Sequence, residues 1–314
     1  MSSNISQSRS PLNSQFASQL NSQLNSQLNS QLNPQRNPHL NPRENFPLPA
    51  LPTSAPTSAP TSGGLALSVS RGSVTGGTEL TVTGDDLDLV TRVDFGEVPA
   101  ASVILTGDEL TITTPASVDF QAGTVDVTFY SPDGQSLTDT YAIVLGGFDY
   151  RVETPLDAQM NYLLAHATEP TAHAFGRLDG TDCVNFTSQG LLARGWTMNA
   201  DWWHSQSLGV NQYGRPWISS TAFMNYLVDH PELGHEVAAD EVTVGDIAQF
   251  DYEDAGIRNH TGTVSRVTGH GDSREIFLVQ HSDDAAYKPV ASLLEAHGPQ
   301  AKVYYWRPVD PAVR

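Results

Sequence analysis

The sequence predicts a multidomain chain: a disordered tail over residues 1–63, an all-β sandwich over 64–147, and an α+β domain over 150–310. Three observations carry this. The first 63 residues are low-complexity Asn, Ser, Gln, Leu and Pro. The next stretch alternates apolar and polar residues in short runs split by turn residues. From Thr154 onward, helix-like spacing of apolar residues comes first and strand-like alternation second.

In the tail, Asn21-Ser22-Gln23-Leu24 repeats at once as Asn25-Ser26-Gln27-Leu28, then drifts to Asn-Pro variants. Asn and Ser are poor helix formers, and Pro34, Pro38 and Pro42 stop any helix. Thr53-Ser54-Ala55-Pro56 then repeats to Thr61. The expectation is an extended stalk. No apolar run approaches the ~20 residues of a membrane span. Met1 to Gln19 also lacks the apolar core of a secretory signal, which by itself argues for the cytoplasm.

The chain holds 16 basic and 35 acidic residues, a formal charge of −19. Arg9, Arg36 and Arg43 stand against Glu44 alone in the tail, so the acidity belongs to the folded part. Such a surface favours solubility and repels phosphate backbones, so no nucleic acid is expected as a partner.

Between residues 65 and 146, Leu80-Val82, Val93-Phe95, Leu110-Ile112 and Val127-Phe129 show period two, as do Leu67-Val69 and Val103-Leu105. Gly76-Gly77, Gly107-Asp108 and Pro132-Asp133-Gly134 separate the runs. About seven short strands indicate a small sandwich. Gly72 to Gly84, Val93 to Ala101, Ile112 to Pro115 and Gly123 to Val127 resemble an IPT/TIG domain. That resemblance implies an immunoglobulin-like fold of the kind used as a spacer or adhesive module, with a surface ligand as a possible partner. No catalytic constellation falls in this segment.

Thr154-Pro155-Leu156-Asp157 opens a helix, with Thr154 as N-cap and Pro155 at the first position. Leu156, Met160, Leu163, Leu164 and Ala167 supply its buried stripe, and Pro170 ends it. Trp196, Trp202, Trp203, His204, Tyr213 and Trp217 follow as an aromatic stretch. They form either core or a substrate-facing wall for sugars or extended peptides. Ser219 and Ser220 cap a helix with Phe223, Met224 and Leu227 inward. Strands are expected over Val244–Tyr252, Asn259–Val267, Glu275–His281 and Ala301–Trp306.

Cys183 is the single cysteine of the chain. One thiol cannot close an internal disulfide and is too few for a structural zinc site. It is therefore an inert buried thiol or a nucleophile. Thr181 and Asp182 are helix-starting residues, Val184, Phe186, Leu191 and Leu192 give an apolar face, and Gly195 can end the segment. A helix N-terminus favours thiolate over thiol. A thiol nucleophile needs a base, and the base needs an orienting partner. His260, at the start of a strand, can supply the imidazole. His281, at the end of the adjacent strand, can accept its other N–H; Asp283 or Asp284 can serve instead. Asp182 opposes a thiolate by charge, so it caps the helix or binds polar groups of the substrate, beside Trp202 and Trp203.

Asp182-Cys183-Val184-Asn185-Phe186-Thr187-Ser188-Gln189, Trp202-Trp203, Gly245 to Phe250, Asn259 to Val264 and Gln280-His281-Ser282-Asp283 resemble the bacterial putative amidase domain family. The layout is similar to that of NlpC/P60 and CHAP hydrolases, the papain-like group. The resemblance implies Cys183 as nucleophile, His260 as base and His281 at the third polar position; no cofactor or metal is expected. Val184 departs from it, because a small residue often follows the cysteine. The implied activity is a cysteine amidase or peptidase acting on a peptide or peptidoglycan amide. Together with the surface-type sandwich, it implies secretion or the cell surface, although no signal peptide is visible. The alternatives are a non-catalytic cell-surface binding protein and an acyl transferase using the same residues. A metallohydrolase is disfavoured, since His166, His173, His204, His230 and His235 show no His-Glu-x-x-His spacing.

Overall fold

The structure, a computed structural model, describes residues 65–84, 86–137, 147–168 and 175–311. The expected stalk over 1–63 lies outside them, as do Gly146 and Pro170.

Period-two alternation becomes a sandwich because each strand can bury only one face. One sheet runs Ala66–Leu67, Glu79–Thr83, Glu109–Thr113, Ser102–Thr106 in spatial order. Leu80, Val82, Leu110 and Ile112 point inward and are buried. Opposite lie Val98–Pro99, Arg92–Phe95 and Val127–Tyr130, contributing Val93, Phe95, Val127 and Phe129. A third sheet joins Arg71–Ser73, Phe148–Arg151 and Gly123–Val125. Its middle strand carries the sandwich past the expected end at residue 147. Phe148 and Tyr150 meet Phe95 edge-on, with centroids 5.2 and 6.4 Å away.

The α+β domain begins three residues after that strand ends. Helix α1, Pro155–Ala165, opens with a reciprocal capping box between Thr154 and Asp157. Helix α2 is Cys183–Ala193, followed by Gly195 at φ 101°. All residues from Cys183 to Leu192 are buried, as in a central helix. Several of its polar groups are paired: the Tyr162 hydroxyl donates to Gln189 Oε1 at 2.7 Å, and Ser188 Oγ donates to the Trp217 carbonyl at 3.1 Å. Gly190 lets α1 approach, since a Cβ there would meet the Leu163 side chain at 2.7 Å.

A hairpin of β1 (His204–Ser207) and β2 (Val210–Tyr213) precedes the short α3 (Arg215–Ile218) and α4 (Ser220–Asp229). Then come β3 (Gly234–Val237), β4 (Ile247–Asp251), β5 (His260–Thr268), β6 (Glu275–Gln280), β7 (Ala285–Pro289), α5 (Val290–His297) and β8 (Lys302–Pro308). They form one antiparallel sheet in the order β3-β8-β4-β5-β6-β7. Six of these elements, β1, β2, α3, β3, β7 and α5, form where the sequence pattern predicted none. Among the described residues no helix is long and apolar enough to cross a membrane.

Asp157 also ties the two domains together. Its Oδ1 accepts from Ser73 Oγ at 2.6 Å, Thr75 Oγ1 at 2.6 Å and Thr75 N at 3.1 Å. Its Oδ2 accepts from the N–H groups of Glu153 and Thr154, both at 3.0 Å. Burial pushes this carboxyl up, but those donors outweigh it and hold Asp157 below the ordinary carboxylate range.

Candidate active site

Three elements converge on Cys183. Helix α2 places it in the first turn, β5 brings His260 at its first residue, and α4 brings Ser220 at its own start. The Cys183 thiol and the His260 imidazole are near enough for each to shift the protonation of the other. Ser220 Oγ lies 3.8 Å from Sγ and accepts from Thr261 Oγ1 at 2.9 Å. Cys183 and His260 retain 7% and 8% of their surface, so the pair is largely desolvated.

Electrostatics in this site favour separated charge. Burial pushes the Cys183 thiol up, but the His260 hydrogen bond and charge, the Thr261 backbone and the Ser220 hydroxyl together bring it below its ordinary value. Burial pushes His260 down, but Cys183, then Gln280, then the charge of Asp283 leave it above the ordinary imidazole range. The thiolate also helps raise Tyr252 to about 12, after burial.

The orienting partner of His260 is Gln280. Gln280 Nε2 donates to the Asp283 carbonyl at 2.9 Å, which fixes the amide so that Oε1 faces His260 Nε2 at 2.8 Å. An amide oxygen only accepts, so Nε2 carries a hydrogen and Nδ1 is left to exchange a proton with the thiol. Sequence reasoning missed this residue. The signal was in the sheet: β5 pairs with β6 through Thr263↔Val279, and continuing that register sets Gln280 opposite Gly262. A Cβ on Gly262 would lie 3.5 Å from the Gln280 Cβ. His260 is two residues from Gly262 and shares that face, whereas the next position along β6 points the other way.

Several expected site residues therefore lie elsewhere. His281 does not reach His260: its Nδ1 meets Asp182 Oδ2 at 2.7 Å, its Nε2 meets the His166 carbonyl at 3.0 Å, and its ring stacks on Phe186 with centroids 3.6 Å apart. Asp283 pairs through its side chain with Lys288, and Asp284 with Arg177, both at 2.8 Å. Asp283 serves the site through its carbonyl instead.

Asp182, 2% exposed, cannot meet a substrate; its carboxylate is consumed by Leu178 N, Asn185 Nδ2 and His281. Nor does it make a side-chain cap to the backbone of α2. Trp202 is fully buried against Trp196 and Trp217 and donates to Ser188 Oγ at 3.1 Å, so it is core and not wall. Trp203 is half-buried and lines a groove of about 670 Å³ with Asp201, Tyr213, Arg215 and Asn225. Val184 is fully buried, so its bulk packs inward.

A model of the family described as putative amidase domain matches residues 156–306, and one described as IPT/TIG domain matches residues 65–143. No curated protein matches the chain.

Proposed function

This chain carries a putative amidase domain behind an IPT/TIG domain, and from that premise we propose thiol-dependent hydrolysis of an amide bond by Cys183, His260 and Gln280. The observation that carries the reading is the electrostatic coupling of the buried thiol and imidazole, with Gln280 Oε1 set 2.8 Å behind the ring.

In this reading the Cys183 thiolate attacks the amide carbonyl carbon. The N–H of Cys183 has no partner inside its own helix and meets the developing oxyanion. The C–N bond breaks as His260 passes its proton to the departing amine, leaving a thioester on Cys183. Water, deprotonated by His260, then attacks the thioester and releases a carboxylic acid and the thiol. Gln280 keeps Nδ1 aimed at both reacting atoms in turn.

The substrate class we favour is a peptidoglycan stem or cross-bridge amide, acted on outside the cell. The reading leans on the amide chemistry of the domain and on a sandwich of the kind found in surface proteins. Full-length protein incubated with purified sacculi should release new amine termini, and Cys183→Ala should abolish that release. Undiminished release by Cys183→Ala refutes the mechanism. One observation favours a second reading: burial of the pair limits water entry, which suits transfer of the acyl group to an amine. Conjugates formed with added amine acceptors, in place of free acid, would mark that outcome.

A further inference from the structure

Asp182 directly precedes Cys183 in sequence, and His281 pairs with Asp182 across the fold. The hydrogen bonds of this pair define its charge. Asp182 Oδ1 accepts from Leu178 N and from Asn185 Nδ2, each at 2.8 Å, and Oδ2 faces His281 Nδ1 at 2.7 Å. Three contacts of this kind suit an ionised carboxylate. His281 Nε2 lies 3.0 Å from the His166 carbonyl, which only accepts. Both ring nitrogens therefore face acceptors, and an imidazole satisfies two acceptors only as the imidazolium. The two side chains are buried, at 2% and 1% exposure.

We propose that His281 is a positioning residue: as an imidazolium it neutralises Asp182 and pins the start of α2, so that a buried carboxylate beside Cys183 does not oppose the thiolate. The role rests on Cys183 being the nucleophile of an amide hydrolase. It assigns His281 to the charge balance of the thiol and not to the orientation of His260.

Tyr162 and Tyr213 both feel the charge of Asp182, which, after burial, pushes their hydroxyls up and keeps them neutral. The His166 ring packs on Tyr162 at 4.6 Å. Arg177, five residues before Asp182, is paired with Asp284. Asp182 N donates to Ser282 Oγ at 2.9 Å, so the residue after His281 grips the same helix start. The stack of His281 on Phe186, with planes 2° apart, anchors the imidazolium one turn into α2.

Without the imidazolium, an uncompensated carboxylate would stand on the residue adjoining Cys183. A like charge within about 4–6 Å disfavours the thiolate, and a rise of one unit is about tenfold in thiolate. The test uses the full chain and two readouts that need no substrate. The first is the pH profile of Cys183 alkylation by iodoacetamide. His281→Phe keeps the stack on Phe186 and should lower the alkylation rate near pH 6.5 by about tenfold, shifting the profile toward alkali. The double variant Asp182→Asn with His281→Phe removes both charges and should return the rate to within about twofold of wild type. A purely structural role predicts that the double variant stays as impaired as the single one.

The second readout is the ring chemical shifts of His281 in the wild-type protein, assigned through bonds; they should remain those of an imidazolium at pH 7.5. It stands even where the variants fail to fold. A neutral His281 ring at that pH overturns the proposal, as does a folded His281→Phe with an unshifted alkylation profile or a double variant without rescue. A wild-type Cys183 that resists alkylation at neutral pH sinks the hydrolase reading and this role with it. A reactive thiol beside a neutral His281 sinks the role alone.

Discussion

Replacing Gln280 with Ala removes the acceptor behind the His260 imidazole. His260 Nε2–H loses its 2.8 Å partner, and the Asp283 carbonyl loses the donor at 2.9 Å. His260 is 8% exposed, so water replaces the lost acceptor poorly. A buried N–H left unpaired costs about 1–3 kcal/mol. At 1.36 kcal/mol per factor of ten, the loss corresponds to roughly 5- to 150-fold in rate when it falls on the reacting conformation. We expect kcat/KM for amide cleavage to drop by about 10- to 100-fold.

The pH profile of that variant moves in a defined direction. The thiolate–imidazolium pair forms as pH rises through the depressed Cys183 pKa and is lost as pH rises through the elevated His260 pKa. After Cys183, Gln280 is the next group that raises His260 against burial. Its removal lowers His260 and moves the alkaline limb toward neutrality, while the acid limb stays near its wild-type position. The assay is kcat/KM against pH for both proteins, with thermal midpoints as a folding control. A folded Gln280→Ala within twofold of wild type and with an unshifted alkaline limb refutes the assignment.

Asp157→Asn presents an amide N–H₂ to donors on one of its two sides, and should destabilise the chain by about 2–4 kcal/mol, or roughly 5–15 °C in melting midpoint. Asp157 has a depressed folded pKa, so its contribution is present above the unfolded value and lost as pH falls through the folded one. Wild-type and variant midpoints should therefore converge in acid; a constant gap down to pH 2 would contradict the linkage. Gly190→Ala gains about 1 kcal/mol of helix propensity but drives a Cβ into Leu163 at 2.7 Å, so calorimetry should show a net loss of about 1–2 kcal/mol. A Gly190→Ala variant more stable than wild type would mean that α1 and α2 separate freely.

Local rules carried far in the sequence. Thr154, Pro155 and Asp157 announced α1 through capping chemistry, and the structure forms that capping box. Alternation in Leu80-Val82 and Leu110-Ile112 announced the sandwich, since one apolar face per strand is a local signal. Cys183 was legible as a helix start. What failed were choices set by tertiary register. Gln280 and His281 are neighbours in sequence but lie on opposite faces, and a slip of one residue exchanges them. The hairpin His204–Tyr213 is polar along its first strand and carries Val210 and Tyr213 only at the ends of its second, so it shows no apolar alternation. Helix α5 did leave a signal, Val290, Leu293 and Leu294 at helical spacing, short enough to pass as a connection. Trp202 could not be told from Trp203 by composition; packing against Trp196 and Trp217 separates them.

The neutrality of Gln280 shapes the proposed cycle. A carboxylate behind the imidazole would grip its proton through every stage. An uncharged amide leaves His260 dependent on the sulfur for most of its basicity, and acylation erases the negative sulfur. Burial then acts against a ring whose main counter-charge has gone, and burial disfavours the cation. The ring thus turns into a stronger acid when the departing nitrogen has to collect a hydrogen, and recovers its grip when the thioester is cleared.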